Sequence, residues 1–178
     1  MDFTVPLLWI HLSAIVTWVG LWFNTALVFN SLHSFVSESV RANFIEAYRK
    51  RYMVITWAAI VVFIITGTIL METNENYPGL GHFFDNSWAT LVFLKHIVVI
   101  LMLAVSFNLV YRILPKLKRA IEAKDKAAEE RLTRQEKLAV ATMAILGLAV
   151  ILIIVTAAEQ PAPSETAARL GLLTLNSL

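Results

Sequence analysis

The chain has 178 residues, of which 58% are hydrophobic, and a formal net charge of +2, a balance too apolar for an ordinary soluble domain. It contains no cysteine, which excludes disulfides, thiolate metal ligands, iron–sulfur clusters and covalent c-type haem attachment. The total charge is uninformative, its distribution is not, and no nucleic-acid partner is expected.

No charge occurs between Asp2 and Glu38, between Arg51 and Glu72, or between Lys137 and Glu159, and between Asp85 and Arg112 the only charge is Lys95. Each interval can cross a hydrocarbon core of roughly 30 Å at 1.5 Å per residue. Four membrane spans follow, near 4–31, 52–72, 87–111 and 138–159. The expected fold is an all-α integral membrane four-helix bundle, with residues 1–160 as one transmembrane, haem-binding domain. The first span has no basic residue before it and no small-x-small cleavage site, so it is expected to be retained rather than removed as a signal peptide.

Of the 15 Lys and Arg residues, Arg41, Arg49, Lys50 and Arg51 follow the first span, and nine more run from Arg112 to Lys137. The loop "ETNENYPGLGHFFDN" between spans two and three has none and carries Glu72, Glu75 and Asp85. The expected location is the inner (cytoplasmic) membrane, where the positive-inside rule places both basic segments in the cytoplasm and both termini and the acidic loop outside. The segment "LPKLKRAIEAKDKAAEERLTRQEKLAV" has acid–base pairs at helical spacing and reads as a cytoplasmic helical extension of spans three and four, solvated or offered to anionic lipid. Residues 161–178 form a short external tail whose "ETAARLGLLTLNSL" could lie on the surface as an interfacial helix.

Within "WIHLSAIVTWVG", residues 9–20, stands His11, and within the third span stands His96. The two are about seven and nine residues inside the outer ends of their helices, roughly 10 and 13 Å deep at the rise of an α-helix. An imidazole in hydrocarbon is costly unless paired or ligated, and two at one depth on separate helices suit axial ligation of one haem b. Ala14 and Trp18 share the face of His11, Phe93 and Ile100 flank His96, and Lys95 is placed to meet a haem propionate. The plain alternative is that each histidine only hydrogen-bonds a neighbouring helix. Trp9, Trp18, Trp57 and Trp88 read first as packing or interfacial anchors.

His33, about 22 residues beyond His11 and thus roughly 33 Å along a helix, belongs to the opposite face. His82 lies in the acidic loop. Spans two and four hold no histidine, so a second bis-histidine haem is excluded. Copper is the chemical rival, since histidine and methionine both suit it. Met102, however, is expected about 240° around the helix from His96, Met143 lies toward the cytoplasmic end, and Met71 alone is near the right level.

"WIHLSAIVTWVGLWF", "RYMVITWAAIVVFIITGTIL" with Thr66 and Gly67, and "LKHIVVILMLAVSFNLVYRILPKL" with Lys95, Asn108, Arg112 and Pro115 carry a family likeness. Over residues 5–119 the chain resembles the CopD-like (copper-resistance D) membrane proteins, the membrane part of membrane-anchored urate oxidases and, more loosely, HemJ-type proteins. The resemblance implies a four-helix membrane unit associated with haem or copper handling, with His11 as the helix-one histidine and Lys95 as the helix-three lysine. His96 departs from the HemJ-type pattern and fits a second iron ligand better than porphyrinogen oxidation.

The leading expectation is a membrane b-type cytochrome with one haem near the outer leaflet, acting alone between a quinone and an external electron carrier or as the redox subunit of a larger membrane complex. Asn24 and Asn108 lie toward the cytoplasmic end, so no outer quinone pocket is named; Glu72 and Glu159 end spans two and four at the outer face. The alternatives are copper import or tolerance through the outer histidines, and a non-catalytic scaffold subunit. Small residues at Gly20, Ala26, Gly67 and Gly147 permit close helix contacts, within one chain or in a homo-oligomer embedded in lipid.

Overall fold

The computed structural model describes residues 3–25, 27 and 35–161. In chain order it contains α1 (Thr4–Asn24), α2 (Glu38–Glu72), α3 (Ser87–Asn108), a π-helical turn (Leu109–Ile113), α4 (Leu114–Glu122) and α5 (Lys126–Ala158), with no strand among the described residues. His33, Ala26 and residues 162–178 of the expected tail lie outside the described residues.

Side chains set the helix ends. Asn86 opens α3 by accepting a hydrogen bond from the Ala89 N–H at 2.7 Å, and Asp125 opens α5 by accepting from the Ala128 N–H at 3.0 Å. Between α4 and α5 the chain reverses at Lys124, which takes a left-handed φ of 54°. Pro115 has no N–H to return to the Tyr111 carbonyl, and its ring crowds that carbonyl. The π turn immediately before it takes up the misfit, so α3 continues into α4 without a break.

Because α3, the π turn and α4 are continuous, four helices are long and apolar enough to cross a membrane: Thr4–Asn24, Val40–Glu72, Ser87–Glu122 and Lys126–Ala158. Between 17% and 33% of each apolar window is buried inside the bundle, so most of the apolar surface is left to face lipid, as Val61, Ile65, Ile145 and Leu152 do. The all-α bundle of four long helices and the helical extension of spans three and four appear as expected. The second helix is longer than the apolar pattern marks, since α2 also takes in the basic segment 41–51. Helical hydrogen bonding does not stop where hydrophobicity does; propensity carries it past the bilayer edge.

In cross-section α1 lies between α2 and α5, and α5 packs along α3. Gly147 on α5 makes this contact close: a Cβ there would stand 2.9 Å from Val19 Cγ1 of α1. Gly20 has no such neighbour. The fourth side of the bundle differs, because α2 and α3 make little backbone contact. Toward the basic end that side is closed by α4 packing on α2 and by Trp57, whose Nε1 donates to the Tyr111 hydroxyl at 3.3 Å and whose ring meets Phe107 edge-on. Toward the other end, which carries the start of α1 and the α2–α3 loop, it is a slot flanked by exposed Ile64, Thr68, His96 and Ile100.

Candidate functional site

The slot leads to a cavity of about 270 Å³ bordered by all four long helices, and both His11 of α1 and His96 of α3 line it. Each ring is held by its Nδ1. The Thr66 hydroxyl of α2 stands 2.7 Å from the Val62 carbonyl and 2.8 Å from His11 Nδ1; when its proton goes to the carbonyl, it accepts from His11. His96 Nδ1 stands 2.6 Å from the Val92 carbonyl one turn back on α3, and a carbonyl only accepts. In a neutral imidazole that donates from Nδ1, the lone pair is on Nε2. Metal-bound histidines carry this same second hydrogen bond, which orients the ring and strengthens the donor nitrogen.

Gly67 sets how close α1 and α2 come at this level. A Cβ on Gly67 would fall 2.8 Å from His11 Cε1, so only a residue without one lets the imidazole seat there. Thr66 and Gly67 are adjacent and about six residues from the end of α2, roughly 9 Å down the helix, the level of His11. Counting depth in the second span as in the first and third would have found them.

Lys95, half-buried, lines this cavity and a second one of about 320 Å³. The second cavity runs toward the loop end past Leu8, Asn74 and Trp88, and it shares His11, Gly67, Met71 and Ile154 with the first. No carboxylate among the described residues pairs with Lys95. A cation in an apolar wall without an anion is costly, and such residues usually face a pathway or a ligand.

The remaining candidates separate. Trp18 is almost fully buried and lines the cavity beside Phe63, 5.6 Å between ring centroids. Ile100 lines its mouth. Ala14 is buried in the core and does not border the cavity, and Phe93 turns away to stack on Phe83 and meet Phe84 edge-on in the loop. The expectation that these two flank the site is corrected: a shared helical face spans about 100°, and they lie on its wrong margins. The placement of Met102 is corrected too. It is fully buried and borders the same cavity as His96, with Met71 across from it, because the cavity spans more of α3's circumference than one face. His82 is elsewhere, its Nδ1 2.8 Å from Asp85 Oδ2 on the exposed loop. Asn24 is exposed, Asn108 lines a groove at the opposite end of the bundle, and Glu72 and Glu159 stand at the ends of α2 and α5. Among the described residues no group of three or more His, Cys, Asp or Glu is gathered as a metal site.

A protein-family model described as copper resistance protein D matches residues 46–159, well over half of the chain. The match takes in Thr66, Gly67, Lys95 and His96 and begins after His11. No curated protein and no solved structure matches the chain.

Proposed function

The chain belongs to the copper resistance protein D family and is a multi-pass integral membrane protein, and from that premise we propose that it is a b-type cytochrome holding one haem between α1 and α3. The observation that carries the reading is a pair of tethered imidazoles, His11 and His96, lining one cavity between α1 and α3.

The residues present suit that group. His11 and His96 would hold the iron, and the hydrogen bonds to Thr66 and the Val92 carbonyl would orient both rings. Trp18, Phe63, Val99 and Ile100 supply apolar walls that exclude water. Lys95, without a carboxylate partner among the described residues, would meet the acidic side groups of the porphyrin, which a solvated lysine would not need to do. Bound there, haem supplies one-electron exchange at a potential set by its ligands, its burial and nearby charge. With the basic segments in the cytoplasm, the site lies near the outer leaflet of the inner membrane. From there it would serve a quinone and an external electron carrier, or a redox partner in a larger complex.

A second reading, copper handling, is favoured by the family's description and by Met71 and Met102, which place two thioethers around the same cavity as the two imidazoles. The unpaired Lys95 argues for the haem reading, because an ammonium beside the histidines repels a metal cation but attracts a carboxylate-bearing cofactor.

The test is the visible spectrum and metal content of the purified full-length protein. A sharp reduced α-band with a shifted Soret band and one iron per chain is expected. A colourless protein that binds Cu(I) with thioether and imidazole ligation overturns the haem reading in favour of copper. A colourless, metal-free protein that takes up neither leaves a scaffold subunit.

A further inference from the structure

At the end of the bundle opposite the histidines, a groove of about 1170 Å³ runs between the α3–π–α4 rod and α5. Four cations line it: Arg112 in the π turn, Lys116 and Arg119 on α4, and Arg131 on α5. Arg112, Lys116 and Arg119 recur at the spacing of one helical face, which is an unfavourable arrangement for like charges. None of the four is within ion-pair distance of a carboxylate among the described residues. Two nearby lysines do find carboxylates, Lys118 with Glu122 at 3.7 Å and Lys126 with Glu129 at 3.5 Å. The one acid in the groove's lining, Asp125, is engaged in capping α5.

The groove does not end where the charges do. It continues up the apolar span past Leu138 and Ala139 to Val105 and Thr142, at bilayer depth. A ligand that fills it needs an anionic head at the membrane edge and an apolar tail beside it. The π turn, a feature often found at functional positions, is at the junction of the two parts.

We propose that this groove is a binding site for an anionic glycerophospholipid, its phosphate held by Arg112, Lys116, Arg119 and Arg131 and an acyl chain laid against Val105 and Leu138. A soluble phosphate would use the cations and leave the upper wall bare. The site is independent of what the histidines hold.

Native mass spectrometry of the full-length protein, with phosphatidylglycerol and phosphatidylcholine added in equal amounts, tests it. Phosphatidylglycerol is expected to be retained in clear preference. The double variant R112Q/R119Q should lose that preference by about 30-fold, from two cations near a membrane surface. R134Q/K137Q removes the same charge from α5 outside the groove and should keep it. Equal retention of both lipids overturns the proposal, and so does equal loss in both double variants, which would mean diffuse attraction. Displacement of the lipid by inorganic phosphate alone overturns it in favour of a soluble-anion pocket. Circular dichroism on each variant confirms that the helices remain folded.

Discussion

At the loop end of the bundle two imidazoles and one lysine border a cavity walled mainly by apolar side chains; at the basic end four cations line a groove and one ion pair ties α2 to α5. Both ends place polar groups at a membrane protein's interior surfaces, but on different terms. In the loop-end cavity the two imidazoles are each held by a single bond, His11 to Thr66 and His96 to the Val92 carbonyl, so their placement depends on one partner apiece. At the basic end water and ions are near, charges are screened, and their number matters more than the exact placement of any one. Substitutions at the two ends should therefore differ in kind: discrete losses at the first, small salt-sensitive shifts at the second.

The largest effects are expected at the ligands. H11A and H96A should each abolish stable cofactor retention, read as loss of the Soret band per mole of folded protein. Retention in both would erase the contrast between the two ends. Next is G67A, whose Cβ would stand 2.8 Å from His11 Cε1. The imidazole is pinned by Thr66 and cannot simply swing aside, so a cost of about 1–3 kcal/mol is expected, measured as a lower unfolding midpoint together with weaker cofactor binding. T66V keeps the volume of the side chain but removes the acceptor for His11 Nδ1. A loss of about tenfold in cofactor affinity is expected by titration of the apoprotein, at the lower end of such orienting bonds. The smallest effect belongs to the basic end. E122Q breaks the ion pair with Lys118 on the surface of α4. Both side chains keep solvent contact, 30% and 51% exposed, so it should cost under about 1 kcal/mol and fade at high salt in a denaturation series.

How much of this could be read from the sequence also differs between the ends. The four spans and the helical hairpin of residues 112–137 were legible because uninterrupted apolar runs and acid–base spacing report length and local periodicity. The pairing of His11 with His96 was suggested by depth alone, and the structure brings both to one cavity. Helical-wheel counting failed one step further out. It kept Ala14 and Phe93 near the site and sent Met102 away from it, because a cavity between four helices is not bounded by one face of each. Thr66 and Gly67 were noticed for family likeness, but their work, seating and orienting His11, is a contact between α1 and α2 that no single-helix pattern contains. The slot between α2 and α3 is also a property of packing, set by the glycine contact of α1 with α5 and by the Trp57–Tyr111 bond lower down. The basic groove was visible as a run of charge; that its cations converge from α4 and α5 while their neighbours pair off was not.

Electron paramagnetic resonance of the oxidised protein tests the proposed ligation of a haem iron most directly. With an imidazole donated from α1 on one side and from α3 on the other, the wild type should give a purely low-spin ferric signal, replaced by a high-spin one in whatever haem either alanine variant still holds. A high-spin wild type, or a low-spin signal untouched by removal of either ring, would contradict it.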